Sequence, residues 1–433
     1  MIGRSVLRQL VQIPVIVAAL GYFVDIYDLL LFSIVRIESL KSLGVAEGEL
    51  LNQGVYLINM QMGGLLLGGI VWGILGDKRG RITVLFASIL IYSLANFANG
   101  FVTTVNQYTL LRFIAGIGLA GELGVGITLV AEILPKEIRG YGTSLVAGVG
   151  MLGAVLAYAV ADYFEWRIAY FIGGGLGLLL LFMRVKVFES GIFKSVKEKP
   201  VSRGNFFQLF SSRKQFIKYF RCILIGVPVW FVAGILMTFS PEFGKALNLG
   251  VPIVAGKAVM WEYLGLTIGD ISSGLLSQYF HSRKKVVIIF ISLVGILSAV
   301  FLFVPLQSSA IFYALCVCLG FAAGYWALFV TIAAEQFGTN IRATVATSVP
   351  NFVRGSILIM TPLFLIFKAQ FGILSGAGLV GLLAIGIAFI GIFDMEETFG
   401  KDLNYVEEKS SRGLWSGLKL KLSKLKTSQS RSK

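Results

Sequence analysis

Runs of about 20 mostly apolar residues recur along the chain, and short polar segments separate them. A helix of about that length crosses the ~30 Å hydrocarbon core of a bilayer, whereas an outer-membrane barrel would show ~10-residue segments of alternating hydropathy. The sequence therefore predicts an all-α integral membrane protein with twelve transmembrane helices. The predicted spans are residues 12–35, 54–76, 82–104, 107–132, 141–161, 166–184, 219–240, 258–280, 286–305, 309–335, 342–366 and 372–393.

The composition excludes the other broad classes of protein. Apolar residues make up 56% of the chain and charged residues only 14%, against roughly 25% charged in a soluble domain. Disorder requires low hydrophobicity, so a disordered chain is excluded as well. Three cysteines and one histidine provide neither a disulfide framework nor a histidine-rich metal site, and no nucleophile–base set is recognisable. We expect no cofactor, no metal site and no enzymatic activity.

The basic residues divide unequally between the two sides of the predicted bundle. If the N-terminus is cytoplasmic, 30 of the 38 Lys and Arg fall in cytoplasmic segments, six on the opposite side and two inside spans. This is the positive-inside pattern. We therefore expect both termini in the cytoplasm and a location in the bacterial inner membrane. The net charge of +15 is interpreted as a topology signal, so nucleic acid is not expected as a partner.

The longest internal polar segment separates two sets of six spans that share sequence features. The predicted domains are an N-terminal half at 1–184, a linker at 185–218, a C-terminal half at 219–393 and a basic tail at 394–433. Ala131–Arg139 aligns with Ala334–Arg342 at an offset of 203 residues, with the glutamate and the arginine seven apart in both copies. Gly73–Asp77 aligns with Gly274–Gln278 at an offset of 201 residues. Parallel repeats with a binding site at their interface are typical of transporters.

Several motifs resemble those of the major facilitator superfamily. The segment Gly73–Arg81, between the second and third spans, resembles the loop motif of that family. Arg112–Gly118 with Glu122 resembles the motif of the fourth span, and Asp25–Leu29 resembles the first span of proton-coupled phosphate and metabolite symporters. Arg354–Ser356 is similar to the eleventh span of organic-ion transporters. The resemblance covers residues 10–405 and implies two six-helix halves that work by alternating access.

Two further segments resemble the Pro-Glu-Ser and Pro-Glu-Thr closings of sugar porters and their relatives. They are Phe188–Ser190 after the sixth span and Glu397–Lys401 after the twelfth. Both lack the leading proline, because Phe188 and Glu396 stand in its place. This departure weakens an assignment to the sugar porters themselves.

The loop motif combines small and charged residues at a helix end near the membrane surface. Gly73 and Gly76 let helix backbones approach, and Asp77 can cap a helix or pair with a cation. We interpret the segment, as the resemblance also implies, as a gate latch that forms in one state and is released in the other. The alternative is a topology anchor. Two ion pairs are also predicted on the cytoplasmic rim, Glu132 with Arg139 and Glu335 with Arg342. The predicted gating residues are these four together with Gly73, Gly76, Asp77 and Arg81 of the loop motif.

Charged residues inside the predicted spans need a partner or a function, because a charge at the bilayer centre costs several kcal/mol. Away from the ends of the spans, these residues are Asp25, Asp28, Arg112, Glu122, Glu262, Asp270 and Arg354. Asp25 and Asp28 are three residues apart and share a helix face, so their carboxylates repel, and one of them is a candidate to hold a transported proton. Glu122 is a rival for that function. The alternative for each acid is a static salt bridge to Arg112 or Arg354.

Arg354 is the residue most informative about the substrate. Its planar guanidinium suits a carboxylate or a phosphate, so an anionic substrate follows if no acid occupies it. If Asp270 or Glu262 occupies it, the substrate can be neutral, such as a sugar. Aromatic and amide residues that could line the cavity are Tyr22, Tyr27, Asn59, Gln61, Trp230, Trp261, Tyr263, Tyr325, Trp326 and Asn351. The substrate-binding candidates are Arg354, Asn351, Asp270, Tyr325, Trp326, Trp230 and Gln61.

The leading hypothesis is a monomeric secondary active transporter that imports a small organic anion or related metabolite with a proton. The alternatives are a sugar symporter, a drug or metabolite efflux antiporter, and a non-transporting membrane sensor of the same fold. Residues 413–433 carry leucines at helical spacing among lysines, which is typical of a helix lying on an anionic leaflet. Membrane lipids are therefore an expected partner, and a disordered basic tail is the alternative.

Overall fold

The computed structural model describes residues 10–135, 138–183, 206–210, 212–338 and 340–401, and these residues form helices without strands. The first half contains α1 (Ile13–Ser42), α2 (Leu50–Arg79), α3 (Arg81–Asn99), α4 (Val105–Leu119), α5 (Glu122–Ile133), α6 (Arg139–Met151), α7 (Gly153–Tyr163) and α8 (Trp166–Met183). The second half contains α9 (Arg213–Leu224), α10 (Val227–Phe231), α11 (Ser240–Ala246), α12 (Ala255–Tyr279), α13 (Arg283–Phe303), α14 (Ser309–Ala323), α15 (Trp326–Glu335), α16 (Arg342–Gly355), α17 (Ile357–Phe371) and α18 (Ile373–Phe393). Short 3-10 turns occur at Glu47–Glu49 and Phe206–Phe210, and a π-helical segment at Val232–Met237 follows α10.

The described helices confirm the prediction of an all-α membrane protein. Eleven helical segments are long and apolar enough to cross a bilayer. The predicted eighth span corresponds to α12, which has 25 residues but is not among the eleven. Its charged residues Lys257, Glu262 and Asp270 explain why composition alone does not mark it as a span.

Polar side chains begin several of the helices. Thr104, Ser212, Ser282 and Ser308 each accept a hydrogen bond from the backbone N–H three residues further on. Such caps matter in a bilayer, because the first N–H groups of a helix have no partner in the helix and hydrocarbon offers none. The turn between α2 and α3 needs Gly80, whose φ of 112° lies where a side chain is strained.

Glycines bring matching pairs of helices into close contact in the two halves. A Cβ added at Gly64 of α2 would overlap the backbone of α4, and one at Gly265 of α12 would overlap the backbone of α14. These two glycines are separated by the same 201 residues as the repeated loop motif. Small residues permit this kind of packing between membrane helices. The halves thus share a packing feature as well as a sequence offset, while the exact domain limits stay predictions.

Candidate functional site

Several membrane-crossing helices are interrupted, and two of these interruptions lie at corresponding positions of the two halves. Residues 120–121 separate α4 from α5, and residues 324–325 separate α14 from α15. Gly121 and Gly324 are 203 residues apart, which is the offset of the repeat. Broken helices at matching positions point to the binding site of a transporter, because the unpaired backbone groups must find partners there.

Side chains from neighbouring helices satisfy the backbone at both interruptions. Asn351 of α16 donates from Nδ2 to the carbonyl oxygen of Ala120 at 2.9 Å, which joins the two halves. Asp270 of α12 accepts a hydrogen bond from the backbone N–H of Ala327 at 3.0 Å, so it caps the first turn of α15. Both residues were predicted to bind substrate. The structure gives each of them a backbone partner at the centre of the bundle.

Arg354 lies on α16, one turn beyond Asn351, and is buried. Its Nη2 lies 3.9 Å from Oδ2 of Asp25 on α1, and its Nη1 donates to Oδ1 of Asn351 at 3.3 Å. The guanidinium carbon lies 5.7 Å from the centre of the Trp326 ring, and Nε has no hydrogen-bond partner among the described residues. Within the described residues, the guanidinium therefore retains donor capacity at Nε while it lies beside the carboxylate of Asp25.

The acid nearest Arg354 is Asp25, for which the sequence left a static salt bridge to an arginine open as the alternative, and not Asp270 or Glu262. Asp270 caps α15, and the buried Glu262 receives no hydrogen bond within the described part of the chain. Asp25 of α1 takes their place, because the long side chain of Arg354 approaches its carboxylate across the interface between the halves. Two tyrosines complete the surroundings, since Tyr22 and Tyr263 both interact electrostatically with Arg354 and Asp25.

Asp28 lies one turn from Asp25 but has different neighbours. It is buried within the first half, where Arg112 of α4 and Asn96 of α3 interact with it. The guanidinium of Arg112 binds the side-chain oxygen of Asn96 and lies 4.7 Å from the centre of the Tyr170 ring. The shared helix face of the two aspartates thus leads to two acid–arginine arrangements, one between the halves and one inside the first half.

Glu122, the third proton-coupling candidate, begins α5 at the interruption after α4. It is buried and accepts a hydrogen bond from the hydroxyl of Ser88 on α3 at 3.0 Å. A carboxylate is favoured at this place, because the first turn of a helix carries a partial positive charge. Glu122 therefore has a structural partner inside the first half.

Two of the four remaining substrate-binding candidates donate hydrogen bonds to backbone carbonyls of their own half. Gln61 of α2 donates from Nε2 to the carbonyl oxygen of Leu29 at 3.0 Å. The hydroxyl of Tyr325 donates to the carbonyl oxygen of Ile225 at 2.9 Å. Trp230 is buried in α10. Trp326 is buried beside Arg354, and its side chain interacts with that of Tyr22. Of these four, Trp326 is the residue that the structure places at the central arginine.

The loop motif lies on the side of the bundle that carries the basic loops, here called the basic side, and it joins the two halves. Asp77 at the end of α2 accepts hydrogen bonds from the backbone N–H and the hydroxyl of Thr344, at 2.8 and 2.6 Å. Gly73 lies against the backbone of the same residue. Since Thr344 belongs to the first turn of α16, Asp77 is a cap provided by the other half. This contact is what the latch interpretation requires of its closed state.

The other gating candidates are less completely described. Gly76 is buried in α2, next to Asp77. Glu335 forms an ion pair of 2.7 Å with Arg283, while Arg342 donates to the carbonyl oxygens of Ala334 and Phe337. The side chains of Arg81, Glu132 and Arg139 lie outside the described residues, as do Phe188–Ser190 and the tail from residue 402. The pairs Glu132–Arg139 and Glu335–Arg342 stay predictions.

The chain is similar in sequence and in fold to known membrane transporters. The family model described as Major Facilitator Superfamily matches residues 18–362. The niacin transporter NiaP of Acinetobacter baylyi is 28% identical over 368 residues, which cover 76% of this chain and 80% of that protein. The putative niacin/nicotinamide transporter NiaP of Bacillus subtilis is 27% identical over 340 residues, with coverages of 76% and 81%. Among solved structures, the proton:xylose symporter XylE has a TM-score of 0.70 at 16% identity and covers 90% of this chain and 97% of its own, a likeness of fold.

Proposed function

This chain belongs to the major facilitator superfamily of transporters, and on that premise we propose that it carries a small organic anion together with a proton by alternating access. The observation that carries the proposal is Arg354, which is buried at the interface between the halves with donor capacity to spare. A guanidinium in hydrocarbon needs compensation. A substrate carboxylate would provide it.

The geometry around Arg354 favours a carboxylate with an apolar body. A planar guanidinium binds a carboxylate with two parallel hydrogen bonds, and Asp25 at 3.9 Å makes neither of them at good distance. The Trp326 ring, 5.7 Å from the guanidinium carbon, offers aromatic surface beside the charge. The relative from Acinetobacter baylyi is named for niacin, an aromatic carboxylic acid, and this name supports the same chemical class.

Asp25 provides a physical route to proton coupling. Its carboxylate and the substrate carboxylate compete for the same guanidinium, so a proton on Asp25 releases Arg354 for the substrate. Proton binding and anion binding then strengthen each other by the same factor. Asp28 beside Arg112 is a second acid–arginine arrangement on the same helix, and it is the next candidate to hold the proton, followed by Glu122.

A neutral substrate is the second candidate function. The contact between Asp25 and Arg354 favours it, because an arginine that an acid neutralises throughout the cycle leaves no anion site. The name of the Bacillus subtilis relative includes nicotinamide, which carries no carboxylate. Nicotinate and nicotinamide are almost the same size and shape but differ in charge, so comparing them tests whether the substrate is an anion or a neutral molecule.

Uptake by proteoliposomes with an acidic outside and a neutral inside is the decisive experiment. We expect accumulation of nicotinate but not of nicotinamide, dependent on the pH gradient. Arg354→Gln should abolish it, and Arg354→Lys should weaken it, because lysine lacks the planar fork. Arg221→Gln is the matched control, since it removes an arginine from a surface ion pair of 2.7 Å with Asp394. Uptake of nicotinamide alone, unaffected by Arg354→Gln, contradicts the anion proposal.

The finer aspects of location and gating are part of the same proposal. We propose that the basic side faces the cytoplasm of a bacterial inner membrane, supported by 30 of the 38 Lys and Arg on that side. The chain is proposed to act as a monomer, with its basic tail on the anionic leaflet. Asp77 and Thr344 form the latch on the cytoplasmic side, supported by two hydrogen bonds between the halves.

A further inference from the structure

A second arginine, Arg36, is buried between the halves at the end of the bundle away from the basic loops, here called the opposite side. It lies on α1 about three turns beyond Asp25, and its side chain is completely buried. Its Nη2 lies 2.7 and 3.0 Å from the two carboxylate oxygens of Glu242 on α11. Its other described partners are the carbonyl oxygens of Leu50 and Thr238.

The Arg36–Glu242 pair forms part of a joint between the two halves. Arg36 comes from the first half, whereas Glu242 and Phe239 come from the second, and the guanidinium carbon lies 5.0 Å from the centre of the Phe239 ring. The hydroxyl of Thr238 donates to the hydroxyl of Ser33 across the same interface at 3.3 Å. This joint on the opposite side is the counterpart of the Asp77–Thr344 contact on the basic side.

Glu242 uses only part of what Arg36 offers to an anion. Both carboxylate oxygens contact the same nitrogen, Nη2, while Nε is buried without a hydrogen-bond partner among the described residues. The Glu242 side chain is 21% exposed, and that of Arg36 is not exposed at all. Glu242 therefore shields the guanidinium from solvent without occupying it fully. A carboxylate that binds Nε and one Nη together would form two parallel hydrogen bonds with Arg36.

We propose that Arg36 is an outer carboxylate-binding site of the transport path, and that a substrate carboxylate replaces Glu242 on Arg36 and thereby opens the joint on the opposite side. This inference rests on the proposed anionic substrate. Simple separation of the pair would leave a buried charge without a partner, which is strongly unfavourable. Exchange of one carboxylate for another keeps the charge on Arg36 compensated while Glu242 moves into water.

The central site repeats the same arrangement with the halves reversed. There the arginine, Arg354, belongs to the second half and the acid, Asp25, to the first. At the outer pair the arginine belongs to the first half and the acid to the second. An anion that moves along α1 thus meets two arginines, each covered by an acid of the other half. A neutral molecule has no means of displacing either acid.

Labelling of a cysteine placed in the joint tests this inference without measuring transport. Ser240 is the first residue of α11, is fully buried, and its hydroxyl has no hydrogen-bond partner in the described ranges. The full chain with Ser240→Cys is reconstituted and treated with a membrane-impermeant maleimide in sodium nicotinate, in nicotinamide, or in sodium chloride of equal ionic strength. The chain with its three native cysteines and Ser240 intact is the blank.

We expect slow labelling in chloride and nicotinamide and a severalfold faster rate in nicotinate. Glu242→Gln should raise the labelling rate even in the absence of nicotinate, because the ion pair with Arg36 is lost. Arg36→Gln should abolish the response to nicotinate. Arg36→Lys, which keeps the charge without the fork, should show a reduced response and serves if Arg36→Gln does not yield a monodisperse protein. Arg354→Gln should leave the nicotinate response intact, since Arg36 binds the anion first.

Two outcomes overturn the inference. If nicotinate leaves the labelling of Ser240→Cys unchanged while Glu242→Gln accelerates it, the Arg36–Glu242 pair is a structural salt bridge between the halves and not an anion-binding site. If Arg36→Gln still responds to nicotinate, the anion acts elsewhere. Uptake measured in the same vesicles separates this failure from a failure of the proposed function. Accumulation without a labelling response refutes only the outer site, and a labelling response without proton-driven accumulation refutes only the coupled transport.

Discussion

Replacing Asp77 by asparagine should disturb the gate on the basic side and leave substrate binding almost unchanged. The carboxylate of Asp77 accepts hydrogen bonds from the backbone N–H and the hydroxyl of Thr344, at 2.8 and 2.6 Å, across the interface between the halves. It is buried in this position. Asparagine keeps one acceptor oxygen but loses the charge that interacts with the start of α16.

The contact distances set the size of the effect. A hydrogen bond to a charged group is worth about 1.5–3 kcal/mol and a neutral one about 0.5–1.5 kcal/mol. The attraction between a partly buried carboxylate and the positive start of a helix stabilises the contact by up to ~2 kcal/mol. Part of this energy is already counted in the hydrogen bonds. We therefore expect Asp77→Asn to weaken the closed state of the basic side by about 2 kcal/mol, or roughly 30-fold in its population relative to the open state.

Two measurements on the same protein check this expectation. Thr347 of α16 is buried beside Gly124 of the other half, so the maleimide reactivity of Thr347→Cys reports opening of the basic side. We expect Asp77→Asn to raise that reactivity by up to roughly 30-fold, to lower turnover, and to change substrate affinity only a few-fold. Asp394→Asn is the matched control, because it removes an aspartate from an ion pair at the surface. Loss of affinity by about a hundredfold in a well-folded Asp77→Asn protein would place Asp77 in the binding site and refute the latch.

Three further predictions follow from single contacts. Asp25→Asn, Asp28→Asn or Glu122→Gln should abolish pH-driven accumulation while substrate exchange persists in at least one variant, and normal accumulation by all three would refute the proton assignment. Asn351→Ala leaves the Ala120 carbonyl without its donor and should lower stability by about 1–3 kcal/mol, measured by thermal unfolding in detergent. Partial burial raises the pKa of Glu397, but hydrogen bonds from Ser282 and three backbone N–H groups outweigh it and lower the pKa below its usual value, so their stabilisation should disappear as the pH falls through that lowered pKa. Glu397→Gln should unfold at a lower temperature than the unmodified protein near neutral pH, with a difference that shrinks as the pH falls through that pKa, and a difference that does not change with pH would contradict this.

The sequence predicted the parts of the fold that depend on local composition. Apolar runs located the spans, because the length of a bilayer-crossing helix is fixed. It did not predict the interruptions at residues 120–121 and 324–325, although the signal was present: Gly121 and Gly324 are 203 residues apart, the offset already found in the repeat. The predicted span 12–35 ended one residue before Arg36, whereas α1 continues to Ser42 and holds that arginine inside the bundle.

A single sequence could not predict which charged side chains from distant parts of the chain contact each other in the site. Helical spacing placed Asp25 and Asp28 on one face, but it does not say which arginine each one meets. Arg354 was predicted as the central cation, and its acid, Asp25, lies more than three hundred residues away in the chain. For Asp77 both a cation and a helix start were reasonable partners, and the choice of Thr344 depends on how the halves meet.

The contacts at Asp77 and Arg36 hold the halves together on opposite sides of Arg354, so alternating access requires that they open in turn. Asp77→Asn should shift the population toward the state open on the basic side, and Glu242→Gln should shift it toward the state open on the opposite side. Because the two shifts have opposite directions, the double variant should have a more balanced population and turn over faster than Asp77→Asn alone. Labelling at Thr347→Cys should fall back toward that of the unmodified gate. A double variant that is slower than either single variant would show that the two contacts do not act as opposing ends of one equilibrium.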